Sequence, residues 1–121
     1  MAKFRFEDLE IWKEAIQIAM IFFEIADSLD EKKLWRFSDQ TRGVGMSIPN
    51  NISESTGTSE VGEQRQLLRY SKRECFEGAN ILVILEKRKL ITNELKDEVY
   101  ERLHVLSKRI QSYSDSLKPR R

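Results

Sequence analysis

One stretch near the N-terminus carries two apolar lines where an ordinary outer helix of a small domain needs one. Leu9, Trp12, Ile16, Ala19, Phe23 and Ala26 recur at spacings of three and four, and so do Ile11, Ala15, Ile18, Phe22, Ile25 and Leu29. At about 100° per residue the lines stand roughly 100° apart, and together they cover about 200° of a helix running from about Glu7 to Leu29. An outer helix needs an apolar arc of only about 100°. A later segment repeats the excess, because Phe76, Ala79, Ile81, Val83 and Ile84 make its helix apolar nearly all round. Folded chains seldom leave large contiguous apolar patches in water. The expected outlet is self-association, with Ile11, Ile18, Phe22 and Ile25 of helix 1 and Ile81 and Ile84 of helix 3 as the contact surface.

The remaining periodicity predicts three more helices. Helix 2 is expected from Lys32 or Lys33 to Ser55, with Leu34, Phe37, Thr41, Gly45, Ile48 and Ile52 on its apolar face. Pro49 lies inside it, and its ring clashes with the Gly45 carbonyl and removes one hydrogen bond. That predicts a kink near Pro49, or two short helices broken there. Gly57 is expected to take a left-handed cap and Ser59 to cap the next helix. Helix 3 should span about Glu60 to Arg88, with Leu68, Ser71, Cys75, Gly78, Leu82 and Leu85 as its inner line. Thr92 should cap helix 4, about Asn93 to Leu117, whose narrow stripe is Leu95, Val99, Leu103, Leu106, Ile110, Tyr113 and Leu117. Short connections make consecutive helices antiparallel. The expectation is therefore an all-α, up-down-up-down four-helix bundle forming one domain over residues 1–121.

Composition agrees with a helical fold and narrows the partners. Five glycines and two prolines are too few for long loops, and 40% hydrophobic with 34% charged residues suits neither a disordered chain nor a membrane protein. The 21 basic and 20 acidic side chains nearly cancel, so attraction to nucleic acid needs a local patch. Cys75 is the only cysteine, which removes internal disulfides and thiolate clusters and suggests a small buried side chain. Met1 to Arg5 lacks a signal-peptide core, and the run Ala15 to Ala26 is too short to span a bilayer. The expected location is the cytoplasm, with no membrane partner.

Two segments are specific. Phe6-Glu7-Asp8-Leu9-Glu10-Ile11-Trp12 opens the chain, and Ser47-Ile48-Pro49-Asn50-Asn51-Ile52-Ser53-Glu54 lies in helix 2; Gln40, Arg42, Glu77 and Leu90-Ile91-Thr92 add support. With these the sequence resembles, over nearly its whole length, the four-helix bundle proteins associated with intervening sequences of bacterial 23S ribosomal RNA genes. The resemblance implies an up-down bundle assembled as a homopentameric ring, without enzymatic activity and with a cellular role not established for the family. A structurally similar accessory protein of diversity-generating retroelements implies nucleic-acid binding by analogy. Gly43 departs from the family pattern, standing where a second arginine often follows Arg42, and Arg73-Glu74 replaces the customary Gly-Ser.

Catalytic and cofactor motifs fall short of what their chemistry requires. Glu101 and His104 form a Glu-x-x-His pair, but a di-iron site needs a second such pair, and His104 is the only histidine. No Gly-x-Ser-x-Gly turn is present, and Gly43-Val44-Gly45 lacks a P-loop lysine. Neither an enzyme nor a cofactor is expected. Gln40, Ser47, Asn51 and Glu54 form a polar line beside the helix 2 core face, and Arg42 and Glu77 are expected to complete a network that fixes register and the subunit contact. The basic side chains Arg65, Arg69, Lys72 and Arg73 on helix 3, with Lys118, Arg120 and Arg121 in the tail, are the candidates for RNA or DNA binding, although no aromatic residue interleaves them. The function expected first is a self-assembling scaffold, with another protein as a candidate partner; nucleic-acid binding is the alternative.

Overall fold

A computed structural model describes residues 1–119. After a single 3-10 turn at Arg5–Asp8, four α-helices follow: α1 (Glu10–Glu31), α2 (Trp35–Ser55), α3 (Val61–Lys87) and α4 (Asn93–Ser116). No strand occurs among the described residues. Each helix packs on the next in sequence, and α1 meets α4. One apolar core joins all four, with Ile18, Phe22 and Leu29 of α1, Ile48 and Ile52 of α2, Leu68, Leu82 and Leu85 of α3, and Leu103, Leu106 and Ile110 of α4 at its centre.

The inner lines expected for α3 and α4 are the buried ones. Leu68, Ser71, Cys75, Gly78, Leu82 and Leu85 are all buried, as are Val99, Leu103, Leu106 and Ile110. Buried polar atoms within this core find partners: the Ser71 hydroxyl donates to the Ile48 carbonyl at 2.8 Å, and Ser55 donates to Ile52 at 2.6 Å. A buried hydroxyl without a partner would cost about 1–3 kcal/mol.

Helix 1 turns most of the expected contact surface inward: Ile11, Ile18, Phe22 and Ile25 are buried in the chain's own core. The reason is that α1 has neighbours on two flanks. Arg42 of α2 reaches Asp27 and Asp30 on one flank, and Arg102 of α4 reaches Glu14 and Gln17 on the other. Between them the core covers the line running through Phe22. On the other line Ala19 and Ala26 are buried, while Trp12, Ile16 and Phe23 are half-buried. The wide apolar arc is largely used within one chain. Of the expected contact residues, Ile81 is half-buried and Ile84 remains exposed.

The helix ends differ from expectation in an instructive way. Gly57 keeps a negative φ; its N–H donates to the Glu54 carbonyl at 2.9 Å. Lys33 and Lys89 are left-handed instead, each with φ of 60°. At both, the next N–H reaches back five residues, Leu34 to the Leu29 carbonyl at 3.0 Å and Leu90 to the Leu85 carbonyl at 2.8 Å. This closes the orphan carbonyls at the ends of α1 and α3 and folds a leucine back onto the core. Ser59 caps nothing; Thr58 accepts the Glu60 N–H in its place. Thr92 caps α4 as expected, accepting the Leu95 N–H at 3.1 Å. Helix α2 runs unbroken through Pro49, so the chain does not form two short helices there.

Candidate interaction surfaces on the third helix

Helix α3 is central to two outer grooves, one shared with α2 and one with α4. On the α2 side, Phe37, Gln40 and Thr41 meet Ile81, Ile84 and Leu85 around a small hollow of about 50 Å3. Ile84 is 41% exposed there, a large apolar side chain with no cover. Farther along the same side, the Glu74 carboxyl sits beside Glu77 and the Ser47 hydroxyl. Burial, with Glu77 adding to it, pushes the Glu74 pKa up to about 7.

The expected polar network is divided rather than continuous. Ser47 and Glu77 come together, but around Glu74, which sequence reasoning did not include. Asn51 donates its side-chain N–H to the Ser47 carbonyl at 3.0 Å. Arg42 turns to the opposite flank of α2, where it pairs with Asp27 at 3.0 Å and Asp30 at 2.8 Å. Gln40 lines the Ile81–Ile84 hollow, and the Glu54 side chain is exposed with no hydrogen bond or ion pair among the described residues.

On the α4 side, three hollows follow one another along α3, the middle one sharing lining residues with each of the others. The first is walled by Arg65, Arg69 and Lys72 of α3 with Gln111, Ser114 and Asp115 of α4. The second joins Arg69, Lys72 and Arg73 to Phe76. The third, about 270 Å3, continues from Phe76 through Ala79 and Val83 to Tyr100, Leu103 and His104. Phe76 is 64% exposed.

Two of the expected cations are already engaged. Arg65 donates to the carbonyls of Ser114 at 3.2 Å and Leu117 at 2.9 Å, closing the C-terminal end of α4. Lys72 donates to Gln111 at 3.0 Å. The Arg69 and Arg73 side chains are exposed and form no hydrogen bond or ion pair among the described residues. Lys118 is exposed beyond α4, and Arg120 and Arg121 lie outside the described residues. The structure also corrects the view that no aromatic stands among these cations. Phe76 follows Arg73, Lys72 and Arg69 by three, four and seven residues, spacings that place all four on neighbouring rows of one helix.

The chain matches the family of 23S rRNA-intervening sequence proteins over residues 7–112. It belongs to that family. The fold of this 23S rRNA-intervening sequence family member is also that of a crystal structure from Bacteroides thetaiotaomicron, a protein of unknown function from the S23 ribosomal protein family. The two share 20% identity and a TM-score of 0.82, over 88% of this chain and 99% of the other. No curated protein matches the sequence.

For this family member the reactive side chains are placed as follows. Cys75 is buried, and burial, with Glu74 nearby, pushes its thiol up to about 12. A thiol so placed is a poor nucleophile. His104 and Glu101 are both exposed on α4, and no group of three or more His, Cys, Asp and Glu side chains among the described residues is arranged to hold a metal. No helix among the described residues is long and apolar enough to cross a membrane.

Proposed function

We propose that this chain is a non-enzymatic cytoplasmic scaffold, one antiparallel up-down-up-down domain over residues 1–121, that assembles into a homopentameric ring through the α2–α3 face. The antiparallel order is supported by paired positions whose numbers run in opposite directions. Phe22 lies against Gly45 and Asp30 against Arg42, while Ser71 meets Ile48 and Gly78 meets Val44. The bend expected near Pro49 belongs to the same proposal, since its missing N–H leaves the Gly45 carbonyl without its helical partner.

The observation that carries the assembly reading is Ile84, open to water beside Ile81 and Phe37. Gln40 lines the same hollow, and farther along that side stand Ser47, Asn51, Glu74 and Glu77, polar groups that can set the orientation of a neighbour. A ring larger than a dimer joins two unlike faces of each subunit. Met20, Trp35 and Met46, all about half exposed on the first two helices, supply the second. Light scattering tests the reading. The native protein should have a mass several times its 14.3 kDa chain, and Ile84→Glu should return it to a single chain with unchanged helicity. If Ile84→Glu keeps the native mass, the α2–α3 face is not the contact.

Nucleic-acid binding is the second reading, favoured by Phe76 standing beside Arg69, Lys72 and Arg73. The engagement of Arg65 and Lys72 leaves few free cations per chain, so a ring would have to multiply them. Titration of structured RNA and duplex DNA at two salt concentrations tests it, because phosphate contacts weaken steeply with salt. Absence of binding at low salt removes this reading.

A further inference from the structure

The α3–α4 groove has a polarity that neither reading explains. Its cations, Arg65, Arg69, Lys72 and Arg73, all lie at the end nearest the α4 C-terminus, where they outnumber the one carboxylate of that lining, Asp115. Its other end, from Phe76 through Ala79 and Val83 to Tyr100 and Leu103, has no Lys, Arg, Asp or Glu in its lining. From Arg65 to Val83 the groove follows 19 residues of α3, a rise of about 27 Å at ~1.5 Å per residue. Phe76 and Tyr100, at 64% and 44% exposed, stand at the apolar end, where a solvated surface would place charge.

We infer that this groove is the docking site of an amphipathic helix from a partner protein, acidic in its first turns and apolar along the face that follows. Charge complementarity and length select that occupant. A nucleic-acid strand carries a charge at every phosphate, and laid along this groove it would bring about half of them over a floor that holds no Lys or Arg. An amphipathic helix segregates its groups as the groove does. Acidic residues are favoured at helix N-termini, where they meet the helix dipole. Here they lie over Arg69 and Arg73. Apolar side chains at i, i+3, i+4 and i+7 then reach the Phe76–Val83 floor, the usual mode of a helix laid in a groove. Arg65 and Lys72 hold α4 against α3 at the basic end and keep the groove's width. The site lies on a different face from Ile84, so the inference stands apart from the assembly reading.

Selection from a displayed library of 18-residue peptides against the full chain tests it. The enriched sequences should carry Asp or Glu in their N-terminal third and apolar residues at helical spacing after it. Resynthesised with a fluorescent label, they should lose affinity about tenfold or more on Phe76→Glu, as expected for a central aromatic anchor. The double variant Arg69→Glu, Arg73→Glu should weaken them as well, and peptides with lysine in place of the acids should bind that variant better than the native chain. Ile84→Glu should leave peptide affinity unchanged. Four results would overturn the inference: enriched peptides without this acid-to-apolar order; binding that survives Phe76→Glu; a labelled single-stranded oligonucleotide that depends on Phe76 where no peptide does; or a fall in native mass with Phe76→Glu, which would give the groove to a second copy of the chain.

Discussion

Gly45 of α2 crosses Phe22 of α1 so closely that a methyl group on Gly45 would lie 2.8 Å from the Phe22 Cβ. The atom it would strike is fixed to the α1 backbone and cannot swing aside. Farther out, the tip of the same ring fills the space in front of Gly78 of α3, where an added Cβ would stand 3.1 Å away. One aromatic side chain thus sets the approach of three helices, and two glycines make room for it.

A pair of substitutions two residues apart reads this contact. Gly45→Ala gains about 1 kcal/mol of helix propensity but must push α1 and α2 apart, and overpacking costs about 1–3 kcal/mol. Gly43 has nothing within 4 Å of where its Cβ would be, so Gly43→Ala should stabilise by about 0.5–1 kcal/mol. Denaturant melts should move in opposite directions for the two variants. Equal stabilisation by both would mean that α1 and α2 are not held at this distance.

Lys33 and Lys89 occupy left-handed backbone at the ends of α1 and α3. Side chains other than glycine are strained there by about 1–2 kcal/mol. Lys33→Gly and Lys89→Gly should each stabilise the chain by about 0.5–1 kcal/mol, the glycine's greater freedom when unfolded removing part of the relief. No hydrogen bond or ion pair among the described residues joins the two sites, so the double variant should show the combined gain. Thermal melts of the three variants check it.

Glu74 makes stability depend on pH. Burial beside Glu77 raises its folded pKa from near 4.5 to about 7. Between these values the folded chain holds a proton that the unfolded chain has released, so stability falls as pH rises through this window. Glu74→Gln removes the decline. The variant should match the native protein near pH 5 and exceed it at pH 8, by no more than about 1 kcal/mol because solvent screens a half-buried pair. Melts at both pH values that show no such divergence would place an ionised carboxylate at position 74 throughout.

Cys75 should resist a thiol reagent at neutral pH, being 1% exposed with its pKa pushed up to about 12. Labelling should become complete only as denaturant unfolds the chain, and its midpoint should coincide with the loss of helicity by circular dichroism. Fast labelling under native conditions would show that α3 opens locally.

Much of the fold could be read from spacing alone. The inner lines of α2, α3 and α4 follow the 3.6-residue period, and each faces a single core. Helix α1 was ambiguous for a physical reason. Its two lines are equally apolar, so only the positions of α2 and α4 decide that the line through Phe22 faces inward while Trp12, Ile16 and Phe23 lie toward its edge. The helix ends misled because Gly57 looks like a left-handed cap, yet two lysines adopt that backbone where Leu34 and Leu90 gain burial. In the candidate grooves, Phe76 was within reach of sequence reasoning, at helical spacing from three basic residues. The engagement of Arg65 was not, because its acceptors lie 49 and 52 residues away, a distance no local pattern spans.

The glycines around Phe22 have a consequence for how such a chain can diverge. A larger residue at position 78 finds room only where the Phe22 ring and Val44 give way, and one at position 45 still meets the Cβ of any residue but glycine at position 22, so changes at these sites are tied to one another. Drift elsewhere in α1 and α2 is free of that tie, and related sequences can wander far in their outer residues while the spacing of their first three helices stays put.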